Sequence, residues 1–553
     1  MTVLSIKDLS VSFATEAGTF HALKNVSFDV PERSIVGIVG ESGSGKSTLI
    51  NSILGLLADN GTIDRGSITF EGQELTRLDA QAMRDLRGPR ISSVFQDPMG
   101  ALNPVLSVGR QMRNIQYRDD ASAAAKDKRS ADMLDAVRIP DPAAALSRFP
   151  HEFSGGMKQR IAIAMALMMR PGLLIADEPT TALDATLEVV TLDLLKELQE
   201  QVGCSVLFIS HHLGVIAKLC DEVAVMYHGE VVERGATDQV FGAPSHGYTR
   251  RLLECDPANQ HVRTRRLPTM HDEPGSFTPV PVPSLPERPA DTEPLLKIRD
   301  AEVTFRTGPM FRRKSLKGVG GVSFDLHAGE TIGLVGESGS GKTTLARAAA
   351  RLQALSGGQI SFEGRPVHAL SPRALQPLRR DIAMMFQDPI GSLSPRMKVG
   401  ALVAEPFRIH RIEGVNLRKE TERLLSQVGL GPEFADRFPH QLSGGQARRV
   451  GVARAIALGP KLIIADEPTA GLDVSVQGEV LNLLNDLRER LGLAMIFITH
   501  NLHVVRHVAD RIAVMYLGKF VEMGETDRIF AAPEHDYTKK LLSANLAGPG
   551  VSA

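Results

Sequence analysis

The sequence predicts an α/β chain in two similar halves, each a mostly parallel sheet core with an antiparallel β subdomain and an inserted helical subdomain. Three observations carry this expectation. The run Gly40-Glu41-Ser42-Gly43-Ser44-Gly45-Lys46-Ser47 recurs as Gly336-Glu337-Ser338-Gly339-Ser340-Gly341-Lys342-Thr343. A short apolar run, Ile35–Val39 or Thr331–Val335, precedes each copy. Matched motifs follow both: Lys46 maps to Lys342 (342 − 46 = 296), and Asp177, His211 and Tyr248 map to Asp466, His500 and Tyr537 (466 − 177 = 289). So long a period means two domains rather than a solenoid. The first domain is expected over residues 1–255, a Pro-rich, partly extended linker over 256–295, and the second domain over 296–553.

In chain order, each half opens on alternating residues. Val11 and Phe13 stand against Ser10 and Ser12, followed by Val26, Phe28 and Val30; Val303 and Phe305 are followed by Val322, Phe324 and Leu326. This period of two predicts half-buried antiparallel strands. The wholly apolar runs that come next read as buried strands delivering the chain to a loop of the form G-x-x-x-x-G-K-[ST]. Residues 97–153 and 388–442 turn mainly helical and are read as the inserted subdomains. Apolar strands ending in acid follow, Leu173 to Asp177 and Leu462 to Asp466, then strands running up to His211 and His500. Strands alternating with helices imply a parallel sheet with its ligand at the carboxyl ends.

The glycine-rich loop points free backbone N–H groups into one concavity that holds phosphates. Gly40, Ser42, Gly43, Ser44 and Gly45 form it in the first half, and Gly336, Ser338, Gly339, Ser340 and Gly341 in the second. Lys46 and Lys342 supply charge to the β/γ-phosphates, Ser47 and Thr343 a hydroxyl for Mg²⁺, and Thr48 and Thr344 continue the nucleotide contact. Asp177 and Asp466 end the facing strand, where an acid holds Mg²⁺ through its water shell. Glu178 and Glu467, one residue on, are placed to polarise the attacking water. His211 and His500 are candidates to orient that water or to donate to the γ-phosphate. Gln96 and Gln387, in Phe-Gln-Asp-Pro turns entering the helical insertions, are candidate Mg²⁺ and water sensors. Ser154, Gly155 and Gly156, and Ser443, Gly444, Gly445 and Gln446, precede a helix and make a second anion-binding element. Alone, such a run would be read as an ordinary helix cap; beside the other motifs it is not.

Net charge is −1, from 63 basic and 64 acidic residues, which gives no global pull toward nucleic-acid phosphates. The three cysteines form no C-x-x-C pair, so neither a zinc site nor a disulfide framework follows. No apolar run reaches the roughly 18 residues of a membrane span. The stretch 161–169 is expected to be a buried helix, and the N-terminus has no secretion-signal pattern, so a cytosolic protein is expected.

Together these motifs resemble the nucleotide-binding domains of ABC transporters: Walker A, Q-loop, LSGGQ signature, Walker B with its glutamate, D-loop (Ala182-Leu183-Asp184 and Gly471-Leu472-Asp473) and switch histidine. The resemblance implies two ABC-type P-loop NTPase domains pairing head to tail, with each ATP between one half's P-loop and the other's signature. The departures are Phe153 for Leu and Met157 for Gln in the first signature, and they imply a modest asymmetry between two competent sites. The family stacks adenine on an aromatic; Phe13 and Phe305 read as core residues, which leaves Phe20 and Phe311 as alternatives. The turns 95–104 and 386–395 and the tails 244–249 and 533–538 are similar to those of bacterial peptide and nickel importer ATPases. That resemblance implies an ATPase peripheral to the cytoplasmic face of the inner membrane. It would dock two transmembrane permease subunits, served by an extracytoplasmic solute-binding protein, and import di- or oligopeptides. Nickel or opine-type solutes, or a soluble twin-ABC ATPase acting on ribosomes or DNA, stand as alternatives.

Overall fold

The computed structural model describes all residues except 17, 96–97, 181–182, 261, 283–291, 308–313, 389, 546–547 and 549–553, with side chains also left aside at 98–99, 306–307 and 314. It divides into two compact units, one built on residues 1–259 and the other on 276–545 with residues 260–272 added to it. Gln96, Asp97, Ala182 and Phe311 lie outside the described residues.

Each unit holds a six-stranded sheet of the same order. In the first it runs Glu230–Ala236, Glu222–Tyr227, Ile35–Val39, Ser205–Ile209, Leu173–Asp177, Ile91–Val94; in the second, Lys519–Glu525, Arg511–Tyr516, Thr331–Val335, Ala494–Ile498, Leu462–Asp466, Ile382–Met385. All neighbours are parallel except the terminal hairpin. The P-loop strands Ile35–Val39 and Thr331–Val335 are buried at every position, as strands flanked on both sides must be. The register Asp177↔Ile209 and Asp466↔Ile498 brings the acidic strand end level with the end of the histidine strand.

A four-stranded antiparallel sheet accompanies each core: Gly18–Pro31, Thr2–Thr15, Gly61–Phe70, Gln73–Glu74, and its counterpart Lys314–Leu326, Leu296–Thr307, Gly357–Phe362, Arg365–Pro366. Alternation in the opening strand is broken by register shifts, and Ser10 and Ser12 are buried as well as Val11. Their hydroxyls donate to the Asn25 and Asp64 side chains, which removes the cost of burying them. Between the strands Ile91–Val94 and Leu173–Asp177 the chain is helical, with Val108–Ile115, Ala123–Ala136 and Gly155–Leu167 as the longer members. Val399–Ile409, Leu417–Gln427 and Gly444–Ile456 repeat this in the second half. Ile161, Ile163, Ala164 and Leu167 are fully buried, as expected of the apolar stretch there. Among the described residues no helix is long and apolar enough to cross a membrane, and all three cysteines are buried and outside any disulfide.

Residues 263–267 are held by specific contacts in the second unit. Leu267 is buried in the core of the second unit, and its backbone N–H and C=O are both held, at 2.8 Å, by the Asn482 side chain. Arg263 donates to the carbonyls of Arg506 and Ala509, and Asn485 donates to the carbonyl of Arg265. Residues 263–268 thus lie as a strap along the helix Val474–Leu491.

Candidate functional site

In both halves the glycine-rich loop connects a buried strand to a helix starting at its lysine, Lys46–Leu54 or Lys342–Ala349. Gly40 and Gly336 have φ of 151° and 149°, and a Cβ there would lie 2.2 Å from the carbonyl oxygen of Met226 or Met515. Only glycine fits such an approach. Lys46 Nζ donates to the Gly40 and Glu41 carbonyls at 2.6 and 2.9 Å, and Lys342 Nζ to those of Gly336 and Glu337 at 2.7 and 2.8 Å. The ammonium groups are thereby drawn over the mouth of the loop. Ser44 and Ser340 sit buried within it, and the hydroxyls of Tyr248 and Tyr537 accept the N–H of Glu41 and Glu337 from behind. Ser42, Gly43, Gly45, Ser338, Gly339 and Gly341 fill out the two loops; Ser47, Thr48, Thr343 and Thr344 lie in the first turn of the helices.

Facing the loop, the acidic pairs have similar surroundings in the two halves. Thr343 Oγ1 donates to Asp466 Oδ1 at 3.1 Å. Burial, helped by the Glu178 carboxylate and opposed by Lys46, pushes the Asp177 carboxyl up to about 6. Burial likewise raises Asp466, with the Thr343 hydrogen bond opposing it and Glu467 adding to it. The two buried aspartates are short of positive charge, and a divalent cation would relieve the shortage. This gives a stability prediction with a definite sign. A carboxylate whose folded pKa is raised destabilises the native state where it is ionised, and the penalty fades as pH falls through the folded value. Asp177→Asn should therefore raise the melting temperature of nucleotide-free protein by a few degrees at about pH 7.5, and the gain should vanish near about pH 4. Melting curves across that range check it; an Asn variant that melts below wild type at the higher pH refutes it.

Glu178 and Glu467 have φ of 46° and 49°, the left-handed region that a glutamate rarely occupies. Each is pinned by its own N–H, which donates to the carbonyl of Ile209 or Ile498 at 2.9 Å. This backbone kink turns the side chain toward the switch histidine. Glu178 Oε1 lies 2.9 Å from His211 Nδ1, and Glu467 Oε1 lies 3.1 Å from His500 Nδ1. Gln387 Nε2 donates to the other oxygen of Glu467 at 2.8 Å. Burial works against the Glu467 charge, but the His500 hydrogen bond and charge, with Lys342 and Gln387, hold its carboxyl below the usual range. The second half thus gathers a P-loop lysine, a hydroxyl, two acids, a histidine and a glutamine about one concavity.

The signature residues cap helices. Ser154 and Ser443 are the N-caps of Gly155–Leu167 and Gly444–Ile456, and their hydroxyls accept the N–H of Met157 and Gln446. Gln446 Oε1 in turn accepts the Ser443 N–H at 3.1 Å, completing a reciprocal capping box. Met157 has no oxygen with which to do so. Gly156 and Gly445 let these helices approach Leu187 and Val476 closely. Of the aromatic candidates, Phe13 packs at the edge of the core, whereas Phe305 is 36% and Phe20 58% exposed.

Arg448 is a site-associated residue that motif reading misses. Its guanidinium is buried and donates to the carbonyls of Gln387 and Ala470 at 3.0 and 2.9 Å. Burial lowers it to about 10, with Asp388 and Glu467 opposing. The same helix position in the first half is Gln159, also buried. Only the replacement of an amide by a charge two residues past the signature hinted at it.

Comparison with known proteins adds the following. The family pattern described as "ABC transporter" matches residues 23–181 and 319–470, and the pattern "Oligopeptide/dipeptide transporter, C-terminal region" matches 232–281 and 521–547. The chain is 44% identical over 558 residues to the glutathione import ATP-binding protein GsiA of Escherichia coli K12, covering 98% of this chain and 89% of that protein. It is 45% identical over 559 residues to the protein of the same name from Salmonella paratyphi A, with the same coverage.

Proposed function

The chain belongs to the ABC transporter family, within its ATP-binding importer subunits, and from that premise we propose that it powers uptake of small peptides by ATP-driven closure of its two halves. The observation that carries the peptide reading is the oligopeptide/dipeptide C-terminal pattern, which recurs in both halves. Relatives named for glutathione import make a tripeptide-sized cargo the first to test.

The residues act as follows in this reading. The P-loop amides with Lys46 and Lys342 bind the β/γ-phosphates, the lysines leaving their carbonyl partners as the nucleotide enters. Bound Mg²⁺ supplies charge neutralisation at the phosphates. Ser47, Thr343, Gln96 and Gln387 would hold it, with Asp177 and Asp466 behind its water shell; the raised carboxyls and the Thr343–Asp466 bond are a donor set suited to that ion. Glu178 and Glu467 polarise the attacking water, and His211 and His500 orient them. Ser154, Gly155 and Gly156 complete the nucleotide site of the second half, and Ser443, Gly444, Gly445 and Gln446 that of the first. Hydrolysis reopens the pair, and the helical insertions pass that motion to the permease.

Partners follow from the importer role: two transmembrane permease subunits, which the chain would dock from the cytoplasmic face of the inner membrane, with an extracytoplasmic binding protein presenting the peptide. No nucleic acid is expected. The test is to tag the full chain, solubilise membranes gently and identify what co-purifies by mass spectrometry. Two polytopic proteins in equal amount support the importer assembly. Ribosomal or DNA-repair proteins with no polytopic partner overturn it.

A further inference from the structure

The two halves differ beside their switch histidines. In the second half the residue after His500 is Asn501, whose side chain caps the helix Leu502–Val508 by accepting the Val504 N–H at 3.2 Å. In the first half that residue is His212, which also stands at the N-cap of its helix, Leu213–Leu219, but makes no side-chain cap. Asparagine is among the favoured N-cap residues, so the first half forgoes a common stabilisation here. The His212 ring goes elsewhere: Nδ1 lies 3.2 Å from Glu188 Oε2, with the carboxylate largely buried.

Glu188 stands in the first turn of Ala185–Val202, the helix whose N-cap is the D-loop Asp184; the Asp184 side chain accepts the Leu187 N–H. The D-loop, the first turn of its helix and the switch loop are therefore joined by a short chain of contacts ending at His211 and Glu178. The loop itself is stiffened by Ser210 Oγ, which accepts the His212 N–H at 3.0 Å. His211 and His212 are consecutive, one aimed at Glu178 and the other at Glu188. The matching residues of the second half are neutral, Gln477 and Asn501. Gln477 donates instead to the carbonyl of its own D-loop residue Leu472 at 2.9 Å.

We propose that His212 and Glu188 form a positioning pair that ties the D-loop helix of the first half to its switch histidine, making hydrolysis there depend on a charge the second half does without. The inference rests on the assignment of Glu178 and His211 above. The groups bearing on the His212 ring are Glu188 on the D-loop helix and Asp256, which follows the helix Gly247–Glu254. Burial works against charge on the ring, but the Glu188 carboxylate and its hydrogen bond, with Asp256 adding, raise its pKa above the ordinary value. The pair therefore persists to higher pH than an ordinary histidine would allow and weakens as pH rises through that raised value.

The test compares steady-state ATP hydrolysis by the full chain and its His212→Asn, Glu188→Gln and doubly substituted forms from about pH 6 to about pH 9. Asparagine is the residue the second half uses at this point, and Glu188→Gln probes the link from its other end if the first variant folds poorly. Either single change should lower kcat near pH 7 by about a third to a half if the halves turn over independently, and by more if they are coupled, with KM for ATP within about twofold. The double variant should lose no more than either single one. The ratio of wild-type to variant kcat should fall toward one on the alkaline side. His212→Lys, which restores a cation opposite Glu188, should recover part of the loss and carry it to higher pH. A kcat unchanged at every pH, or a loss in constant proportion at every pH, overturns the proposal. Glu178→Gln separates the two levels: if it too leaves turnover unchanged, the underlying assignment of the carboxylate fails, whereas a large loss there with none at His212 refutes only the positioning pair.

Discussion

Replacing Glu178 and Glu467 together by glutamine is expected to cut steady-state ATP hydrolysis by roughly 10²–10⁴-fold, the range of general-base contributions, while ATP binding persists. The geometry is specific about why. Each carboxylate is fixed by a left-handed backbone kink and by a hydrogen bond from its own N–H, neither of which a glutamine disturbs. What glutamine removes is the negative charge facing His211 and His500. Because Glu467 is held ionised by His500, Lys342 and Gln387, its loss should show at neutral pH without a shift in pH optimum being needed to expose it. Phosphate release measures turnover, and equilibrium binding of labelled ATP measures occupancy. Retained turnover in the double variant would sink the assignment, and loss of binding would mean that the glutamates shape the pocket instead. The single variants bear on asymmetry. The second signature helix carries a complete capping box and the first, with Met157, does not, so the two sites should leave unequal residual rates. Equal residual rates would count against any functional consequence of Met157.

The nucleotide chemistry was legible because its residues are contiguous. A phosphate loop, an acid pair closing an apolar strand and a histidine past the next strand are local patterns whose spacing repeats, and the parallel register of Asp466 with Ile498 turns that spacing into proximity. What could not be read was set by contacts between distant segments. The alternation that suggested half-exposed Ser10 and Ser12 gave no sign of the bulges and of the partners Asn25 and Asp64 that bury them. The hairpins Glu222–Ala236 and Arg511–Glu525 extend each core sheet by two strands through Val36↔Glu222 and Ile332↔Arg511, pairings with no local signature. The positive φ of Glu178 and Glu467 was hidden because a non-glycine residue announces no such conformation. Arg448 and His212 belong to no motif, and only their partners, Gln387 and Ala470 in one case and Glu188 in the other, set them beside the site.

The strap makes the sharpest case, and it yields the second large effect. Pro-rich composition argued for a linker over 256–295, yet Leu267 is buried in the core of the second unit. Leu267→Ala should therefore destabilise that unit by about 2–5 kcal/mol, the range for buried leucines, which corresponds to roughly 5–15 °C in melting temperature for a domain of this size. A passive linker would show no change. The backbone on either side of the leucine side chain is held by Asn482, so Asn482→Ala should cost about 1–3 kcal/mol by leaving both groups without that partner. Because the two changes release the same segment, the double variant should fall short of their sum. Gly478 supplies an independent check. The Pro268 carbonyl oxygen would lie 2.9 Å from a Cβ at that position, and the matching residue in the first half is Val189. Gly478→Val should push the strap off the helix and reproduce the Leu267→Ala loss with the leucine itself kept in the sequence. Calorimetry on the full chain reads all four variants, and a Gly478→Val protein that melts like wild type would show that the strap lies on the helix without stabilising it.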